Sequence, residues 1–226
     1  MTGRSLRIQP FMSIDTAPSS AAADLRVPQE IVDLVFRDAR TVNTFTDGEV
    51  TDEQVRAVWD VVRWGPTAMN SLPLRLLLVR SGEGRERLVD HMNEGNKAKA
   101  RRAPLSIVVA ADVDFHEQLP RLAPHMAGAR DNFAGVEDVR ARMARDNTFL
   151  QAGYLIVGLR AAGLHVGPMT GFDAPGLDAD LLAGSGWRSI MVLNVGSAPE
   201  DVEGFGMPAS HPRQGRLDFE DVARTV

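Results

Sequence analysis

Apolar and polar positions along the chain follow two periods, one typical of α-helices and one typical of buried strands. A helix is predicted to begin at Thr51, which forms a capping box with Gln54. Its core-facing positions, at helical spacing, are Val55, Val58, Trp59 and Val62. Trp59, and Trp64 just beyond this helix, are predicted to lie in the core rather than to stack on a ligand.

An earlier helix is predicted at the start of the folded part of the chain. Val27-Pro28 opens it, because proline is tolerated at the first helical position, and it ends near Arg40. Its apolar stripe consists of Ile31, Leu34 and Val35.

The longest predicted helix covers residues 136–164. Its second half, F-L-Q-A-G-Y-L-I-V-G-L-R, is apolar on nearly every side, which predicts burial all round in a core or a dimer. Gly153 and Gly158 permit close helix packing, and Gly163 is expected to cap the helix.

Three apolar runs have the length of strands. They cover residues 74–79, 105–111 and 187–197. Residues 1–26, which hold few large apolar groups, are interpreted as a flexible N-terminal arm, and residues 27–226 as a single domain.

Composition narrows the classes of function. The 226 residues carry a net charge of −5 and include no cysteine, which excludes disulfides, thiolate zinc sites and cysteine nucleophiles. No apolar run reaches the ~18 residues that span a bilayer, and the N-terminus lacks the apolar region of a secretory signal. A cytoplasmic location is therefore expected. No block of like charge indicates a nucleic-acid arm or a membrane anchor.

The stretch at residues 63–80 is the strongest candidate for a binding site. Pro66 cannot continue a helix, so Gly65-Pro66 ends the preceding one. Small or polar residues then occupy positions 67–71, before Pro73 leads into the strand. We expect a loop held between a helix and a strand to present free backbone N–H groups to a flat polar ligand. An ordinary helix-to-strand connection is the alternative.

This loop is also where the chain resembles a known family. The run G-P-T-A-M-N-S-L-P-L-R is similar to the P-S-x-x-N-x-Q-P-x-R/H motif of the nitroreductase family of FMN enzymes, and more narrowly to its malonic semialdehyde reductase subgroup. Further segments that resemble the family follow the family's order: A-R-T-V-N-T-F, N-E-G-N-K-A-K, H-V-G-P-M-T-G-F and a basic tail. Ala39 and Asn43 depart from the family, in which basic residues are usual at those two positions.

The resemblance implies an α+β, nitroreductase-like fold, with an antiparallel sheet flanked by helices in an intertwined homodimer. FMN would lie at the dimer interface, touching both chains, and NADH or NADPH would be the electron donor. Hydride would pass through flavin N5 in a ping-pong reaction. The implied cofactor-binding residues are Arg40, Thr41, Asn43, Pro66, Thr67, Ala68, Met69, Asn70, Leu72, Asn96, Lys99, Pro168, Met169, Thr170, Gly171 and Arg213, with Arg216 behind Arg213.

The resemblance also assigns roles within this set. Arg40, Thr41 and Arg213 would bind the FMN phosphate, which suits the charged fork of arginine. Asn96 and Lys99 would lie at the pyrimidine edge of the ring, where a cation stabilises negative charge at the N1–C2=O side. A backbone N–H around Thr170 or Gly171 would face N5. The loop 67–70 would come from one chain, and Arg40, Lys99 and Arg213 largely from the other.

Residues 112–126 are expected to form a loop or lid over the substrate side of the ring. Candidates to bind the carboxylate of an acceptor are Arg121, His125 and Arg130. No metal site is predicted, since the H-E-x-x-H spacing is absent. The leading hypothesis is reduction of malonic semialdehyde to 3-hydroxypropionate. The alternatives are a general nitroaromatic or quinone reductase, a flavin-binding protein without turnover, and an interaction protein that binds no flavin.

Overall fold

A four-stranded antiparallel sheet forms the centre of the computed structural model, which describes residues 25–80, 82–199 and 213–226. The strands are β1 (Leu74–Val79), β2 (Leu105–Asp112), β3 (His165–Met169) and β4 (Trp187–Gly196). Their order in the sheet is β1-β2-β4-β3. The three predicted strands and the α+β class are confirmed. Strand β3 is additional, because no strand was predicted at its residues.

Helices surround this sheet and cover both of its faces. The α-helices are α1 (Gln29–Val32), α2 (Asp52–Val62), α3 (Glu83–His91), α4 (Glu94–Arg102), α5 (Leu119–Leu122), α6 (Ala129–Ala134), α7 (Glu137–Ala161), α8 (Ala174–Leu181) and α9 (Phe219–Val222). A π-helical turn (Asp33–Arg37) extends α1, and 3-10 turns occur at Ala68–Asn70 and Phe115–Gln118. The capping box of Thr51 is present, and Gly163 ends α7 with a positive φ of 77°.

Strand β2 shows how the core divides into two layers. Leu105, Ile107 and Val109 pack with α2 and α7 on one face. Val108 and Ala110 point to the other face, which α3 and α8 cover. This alternation is the period of a strand, and the strand reads as a continuous apolar run because both faces are buried. The helix α7 therefore lies across one face of the sheet.

Gly158 confirms the predicted close packing of the long helix. A Cβ atom at this position would lie 2.4 Å from Cγ1 of Val62 on α2. Gly153 is different, because nothing lies within 4 Å of the position that its Cβ would take. The two glycines thus lie on different sides of α7, one against α2 and one open.

Three expectations about the helices and their burial are wrong within a single chain. Trp64 is 79% exposed, because α2 ends at Val62 and the chain turns away from the core. The first helix ends at Arg37 rather than near Arg40, and the predicted stripe is only partly buried: Val35 is covered, but Ile31 and Leu34 are exposed. The second half of α7 is not buried all round either, since Leu150 and Gly153 are exposed.

The predicted N-terminal arm falls almost entirely outside the described residues, of which Leu25 and Arg26 are the first. No described helix is long and apolar enough to cross a membrane.

Candidate functional site

The loop between α2 and β1 has an unusual backbone. Met69, Asn70 and Leu72 adopt positive φ angles of 56°, 53° and 41°. Asparagine tolerates this left-handed region, whereas methionine and leucine do so at a cost of about 1–3 kcal/mol each. Such a conformation persists only where surrounding contacts enforce it.

The helix α7 supplies those contacts. Asn147 accepts a hydrogen bond from the backbone N–H of Ala68 through Oδ1 at 2.7 Å, and Gln151 accepts one from the N–H of Leu74 through Oε1 at 3.0 Å. The hydroxyl of Tyr154 donates to the carbonyl of Pro66 at 3.2 Å. These three residues follow one another at helical spacing on one side of α7. These three residues were not predicted, because the sequence does not show that this side of α7 faces the loop.

The loop uses its own backbone donors internally. Asn70 N–H donates to the Thr67 carbonyl, and Leu72 N–H donates to Thr67 Oγ1. The prediction of free backbone N–H groups is therefore wrong for Ala68, Asn70, Ser71 and Leu72. The Asn70 side chain donates to the carbonyl of Leu122 on α5 at 2.7 Å. This bond joins the loop to the predicted lid segment.

A second group of predicted residues gathers along β3. Thr41 forms an isolated parallel bridge with Val166, and Val42 N–H donates to the Val166 carbonyl at 3.3 Å. Gly167 makes this approach possible, since a Cβ atom there would lie 2.4 Å from the carbonyl oxygen of Val42. The segment that carries Arg40 and Thr41 is thereby attached to the start of the strand that leads to Thr170.

A cavity of about 590 Å³ opens beside Thr41. We call it the five-arginine cavity, because its lining includes Arg37, Arg40, Arg160, Arg213 and Arg216. No acidic side chain lines it in the described part of the chain. Arg37 forms an ion pair with Asp33 at 3.2 Å, but no carboxylate among the described residues pairs with Arg40 or Arg213. The structure thus brings together Arg40, Thr41 and Arg213, as the sequence predicts, and adds Arg160.

Arg160 lies on the wall of this cavity with its charge partly desolvated. Its Nη1 donates to the carbonyl of Val35 at 3.1 Å, while its Nε is buried without a partner among the described residues. Burial lowers the pKa of Arg160 from its ordinary value. Burial, and then the Arg160 cation, also lower the pKa of the neighbouring His165. An anion in the cavity would satisfy the unpaired donor and offset both effects.

The end of β3 meets α4. Asn96 donates from Nδ2 to the carbonyl of Gly171 at 3.1 Å, and the backbone N–H of Asn93 donates to the same oxygen at 3.0 Å. The backbone N–H groups of Thr170 and Gly171 have no hydrogen-bond partner in the described part of the chain. Lys99, one turn beyond Asn96, is half-buried and forms no ion pair with the described residues. These residues present unused donors and a cation beside one strand end.

Sheet topology keeps the two groups apart within one chain. The loop precedes β1 and the Thr170 segment follows β3, and these are the two edge strands of the sheet. Three strand spacings separate them, roughly 14 Å. No described hydrogen bond joins one group to the other. Within the described chain, the loop and the Thr170 segment are therefore two separate groups.

The three candidates for binding an acceptor carboxylate have different surroundings. Arg130 is already engaged by Glu117, with Nε at 2.8 Å from Oε2, and this hydrogen bond raises the pKa of Arg130. Arg121 and His125 are exposed and form no contact with another charge in the described regions. Of the three, Arg121 is nearest in sequence to the loop between α2 and β1. It directly precedes Leu122, whose carbonyl accepts the hydrogen bond from Asn70. Asn43, predicted to contact the ring, is half-buried between Val42 and Thr44.

Comparison with known proteins identifies the family. The profile described as Nitroreductase family matches residues 36–197. A Streptomyces griseus protein named NADH dehydrogenase/NAD(P)H nitroreductase is 52% identical over 194 residues, which cover 86% of this chain and 95% of that protein.

Solved structures agree in fold. A nitroreductase from Exiguobacterium sibiricum, crystallised with FMN, has a TM-score of 0.74 at 17% identity and covers 89% of this chain and 99% of its own. An NAD(P)H:FMN oxidoreductase from Staphylococcus epidermidis has a TM-score of 0.71 at 14% identity, covering 89% and 98%. The chain belongs to the nitroreductase family.

Proposed function

We propose that this protein is an FMN-dependent NAD(P)H oxidoreductase that reduces a small organic acceptor. The observation that carries this proposal is the line of groups along β3. Arginines converge at its start, unused backbone N–H groups lie at its end, and a free cation on α4 stands beside them. This order is the order of phosphate, ribityl chain and ring in FMN.

The dimensions of the site fit the cofactor. Thr41 is level with Val166, and Thr170 follows Val166 along the extended chain at roughly 13 Å. Arg40, Arg213 and the hydroxyl of Thr41 would hold the phosphate. Arg160 would add a further positive charge, and its buried Nε has no hydrogen-bond partner among the described residues. Gly167 leaves room for the backbone to run close to a neighbouring chain segment.

Bound FMN supplies hydride transfer between NAD(P)H and the acceptor. The chain positions the ring and its charge. The N–H groups of Thr170 and Gly171 would donate to bound FMN, and Asn96 fixes that segment through the carbonyl of Gly171. Lys99 would stabilise negative charge that develops on the ring. No described side chain is assigned as a proton donor, and water fills that role.

A homodimer completes the site in this proposal. The loop 67–72 of the partner approaches the Thr170 segment of the first chain, which the separation of roughly 14 Å within one chain supports. The exposed apolar side chains that one chain leaves uncovered also support it. They include Ile31, Leu34, Phe36, Val61, Trp64 and Leu150, with Leu217, Phe219 and Val222 near the C-terminus.

Malonic semialdehyde is the acceptor that the subgroup resemblance favours. The reaction is OHC–CH2–COO⁻ + NAD(P)H + H⁺ → HOCH2–CH2–COO⁻ + NAD(P)⁺, in which the aldehyde carbon receives hydride and its oxygen a proton. A nitroaromatic or quinone acceptor is the second candidate, favoured by the name of the Streptomyces griseus relative. Its first step is R–NO2 + NAD(P)H + H⁺ → R–NO + NAD(P)⁺ + H2O. We place the reaction in the cytoplasm, where both donors are present.

Anaerobic absorbance of the FMN-reconstituted protein tests the proposal. NADH and NADPH are added separately, and the flavin band near ~450 nm is followed. Bleaching that malonic semialdehyde reverses supports the leading reaction. Bleaching that only a quinone or nitroaromatic reverses supports the second. Bound FMN that neither nucleotide reduces would indicate a flavin-binding protein without turnover, and absence of FMN binding would overturn the proposal.

A further inference from the structure

A second basic cavity adjoins the end of β3. It has a volume of about 650 Å³ and lies between the first half of α7 and the start of β4. We call it the Thr170 cavity. Its lining includes Arg142, Arg145 and Arg188 together with one acidic residue, Asp146.

Two of these arginines are free to bind an anion. Arg142 forms no hydrogen bond or ion pair with the described residues. Arg188 donates only to its neighbour's carbonyl, that of Trp187, at 3.2 Å. Their positive charges are therefore not neutralised within the described chain.

The third arginine is held in place by its own helix. Arg145 has its guanidinium carbon 4.8 Å from the ring centre of Phe149, a cation–π contact that orients it. Its pairing with Asp146 is loose, at 3.9 Å between two side chains that are more than 60% exposed, so this pair contributes little. The one carboxylate of the lining does not cancel the excess of positive charge.

The floor of the cavity supplies an independent sign of a ligand. Ser189 lines it and is 7% exposed, and its Oγ is buried with no hydrogen-bond partner in the described part of the chain. Burying a hydroxyl without a hydrogen-bond partner costs free energy, and a hydrogen-bonding atom of a bound ligand would supply that partner. Phe149, Phe172 and Ile190 add an apolar surface. Such a mixture, mostly apolar with a few convergent polar groups, is typical of small-molecule sites.

The position of the cavity relates it to the reaction. Thr170 is part of its lining and carries one of the unused backbone N–H groups at the end of β3. An acceptor that reaches hydride beside Thr170 thus extends directly toward the three guanidinium groups.

We infer that the Thr170 cavity is the anion subsite of the enzyme, with Arg142 and Arg188 binding the carboxylate of the acceptor and Arg145 supporting them. This inference rests on the proposed function, since it names the part of the same site that selects the acceptor. It assigns the role to α7 and β4 rather than to Arg121, His125 or Arg130. Arg130 is occupied by Glu117, and neither Arg121 nor His125 is part of the cavity lining.

A matched pair of acceptors tests this subsite without relying on one physiological substrate. Para-nitrobenzoate and para-nitrobenzamide have the same ring and reacting group, and differ by one negative charge. The variant R142A/R188A is compared with R121A, and with R56A as a control for loss of an exposed arginine on α2. Steady-state kcat/KM is measured for both acceptors with FMN-saturated protein, and circular dichroism checks that each variant is folded.

The expected result is a loss of at least about tenfold in kcat/KM for para-nitrobenzoate in R142A/R188A, carried by KM, as loss of a charge-assisted hydrogen bond predicts. Activity with para-nitrobenzamide should stay within about twofold in all variants. An equal loss for both acceptors, or a selective loss in R121A instead, would overturn the inference. Absence of turnover with either acceptor in the wild type would instead point to failure of the proposed function.

The donor offers another source of anionic groups, and one more comparison separates it. KM for NADH and for NADPH is measured in R142A/R188A with a quinone as the acceptor. Unchanged values for both donors support assignment to the acceptor. A selective rise for NADPH would show that the cavity binds the extra phosphate of that donor, and would overturn the assignment to the acceptor carboxylate.

Discussion

Left-handed backbone at Met69, Asn70 and Leu72 is sustained by single hydrogen bonds from distant residues. One of these bonds runs from Ala68 N–H to Asn147 Oδ1, across 79 positions in the sequence. Asn147 is itself 8% exposed and donates to the carbonyl of Met143. A nearly buried side chain on α7 thus fixes the loop.

Replacing Asn147 by alanine should weaken the protein and its hold on FMN. The substitution removes the part-buried hydrogen bond to the Ala68 N–H, which contributes about 0.5–1.5 kcal/mol. We expect a lower urea midpoint and a weaker FMN dissociation constant in N147A. The matched control is N132A, which removes an exposed asparagine on α6. Equal midpoints for the two variants would contradict the anchoring role.

His165 should make stability depend on pH. Burial, and then the Arg160 cation, lower its pKa below 6.5 in the folded chain. The unfolded chain therefore binds the proton more readily, so stability is complete above pH 6.5 and declines as the pH falls below it. Its Nδ1 accepts the N–H of Ala198 at 3.2 Å, consistent with a neutral ring.

The variant H165N keeps an acceptor but cannot gain this proton. Urea unfolding of FMN-free protein between about pH 5 and pH 8 should show a smaller decline at the acidic end than in the wild type. Identical slopes in the two proteins would show that His165 does not contribute.

At the scale of elements, a buried arginine connects α3, and the helix α4 that carries Lys99, to the sheet. Arg85 on α3 is 4% exposed and has no carboxylate partner among its described contacts. Its donors bind the carbonyls of Val79, Arg80, Ala100 and Pro104 and the hydroxyl of Ser106. Burial lowers its pKa from the ordinary value. One guanidinium therefore links α3, the end of α4, the end of β1 and the start of β2.

Methionine at position 85 should destabilise the chain by at least about 3 kcal/mol, because several buried acceptors lose a charged donor together. Lysine should restore little, since an ammonium cannot reach the same spread of acceptors. Chemical unfolding measures both variants. The control R101M breaks an exposed pair with Glu86 and should cost less than about 1 kcal/mol. Comparable losses in R85M and R101M would refute the connecting role.

At the scale of the whole molecule, α7 has one side that its own chain does not cover. Gly153 faces open space, and Leu150 on the same helix is 44% exposed. A single chain would thus tolerate a large side chain at position 153, whereas a dimer packed on this side would not. The opposite holds at Gly158, where α2 leaves no room for a Cβ.

These two glycines give a paired prediction for assembly. Sedimentation velocity of the wild type should give twice the chain mass of 24.6 kDa. G153W should shift the protein toward monomer and reduce FMN binding. G158A should instead lower the urea midpoint, because the side chains of Val62 and Val58 must move. A wild-type monomer that binds FMN normally would refute the two-chain site.

The secondary structure was predictable where neighbouring residues carry the information. The capping box at Thr51 and the strands at 74–79 and 105–111 depend on spacing and local pairing, and they are confirmed. Trp64 was mispredicted because an apolar side chain does not show whether the chain turns toward the core or away from it where a helix ends. Strand β3 was missed because glycine and proline interrupt its pattern, and its pairing with β4 overrides local propensity.

By itself, the sequence determined the family and the residue types of the site. Ordered motifs identified the nitroreductase family. Arg40 and Thr41, which are far from Arg213 in the chain, were predicted to bind one phosphate together with it, and the three residues line one cavity. Tertiary structure alone decided the rest. It brought Asn147 to the loop, Arg160 to the five-arginine cavity, and Arg142 and Arg188 to Thr170. The reason is physical: spacing along a chain fixes which residues share a helix face, but only packing of α7 across the sheet fixes what that face meets.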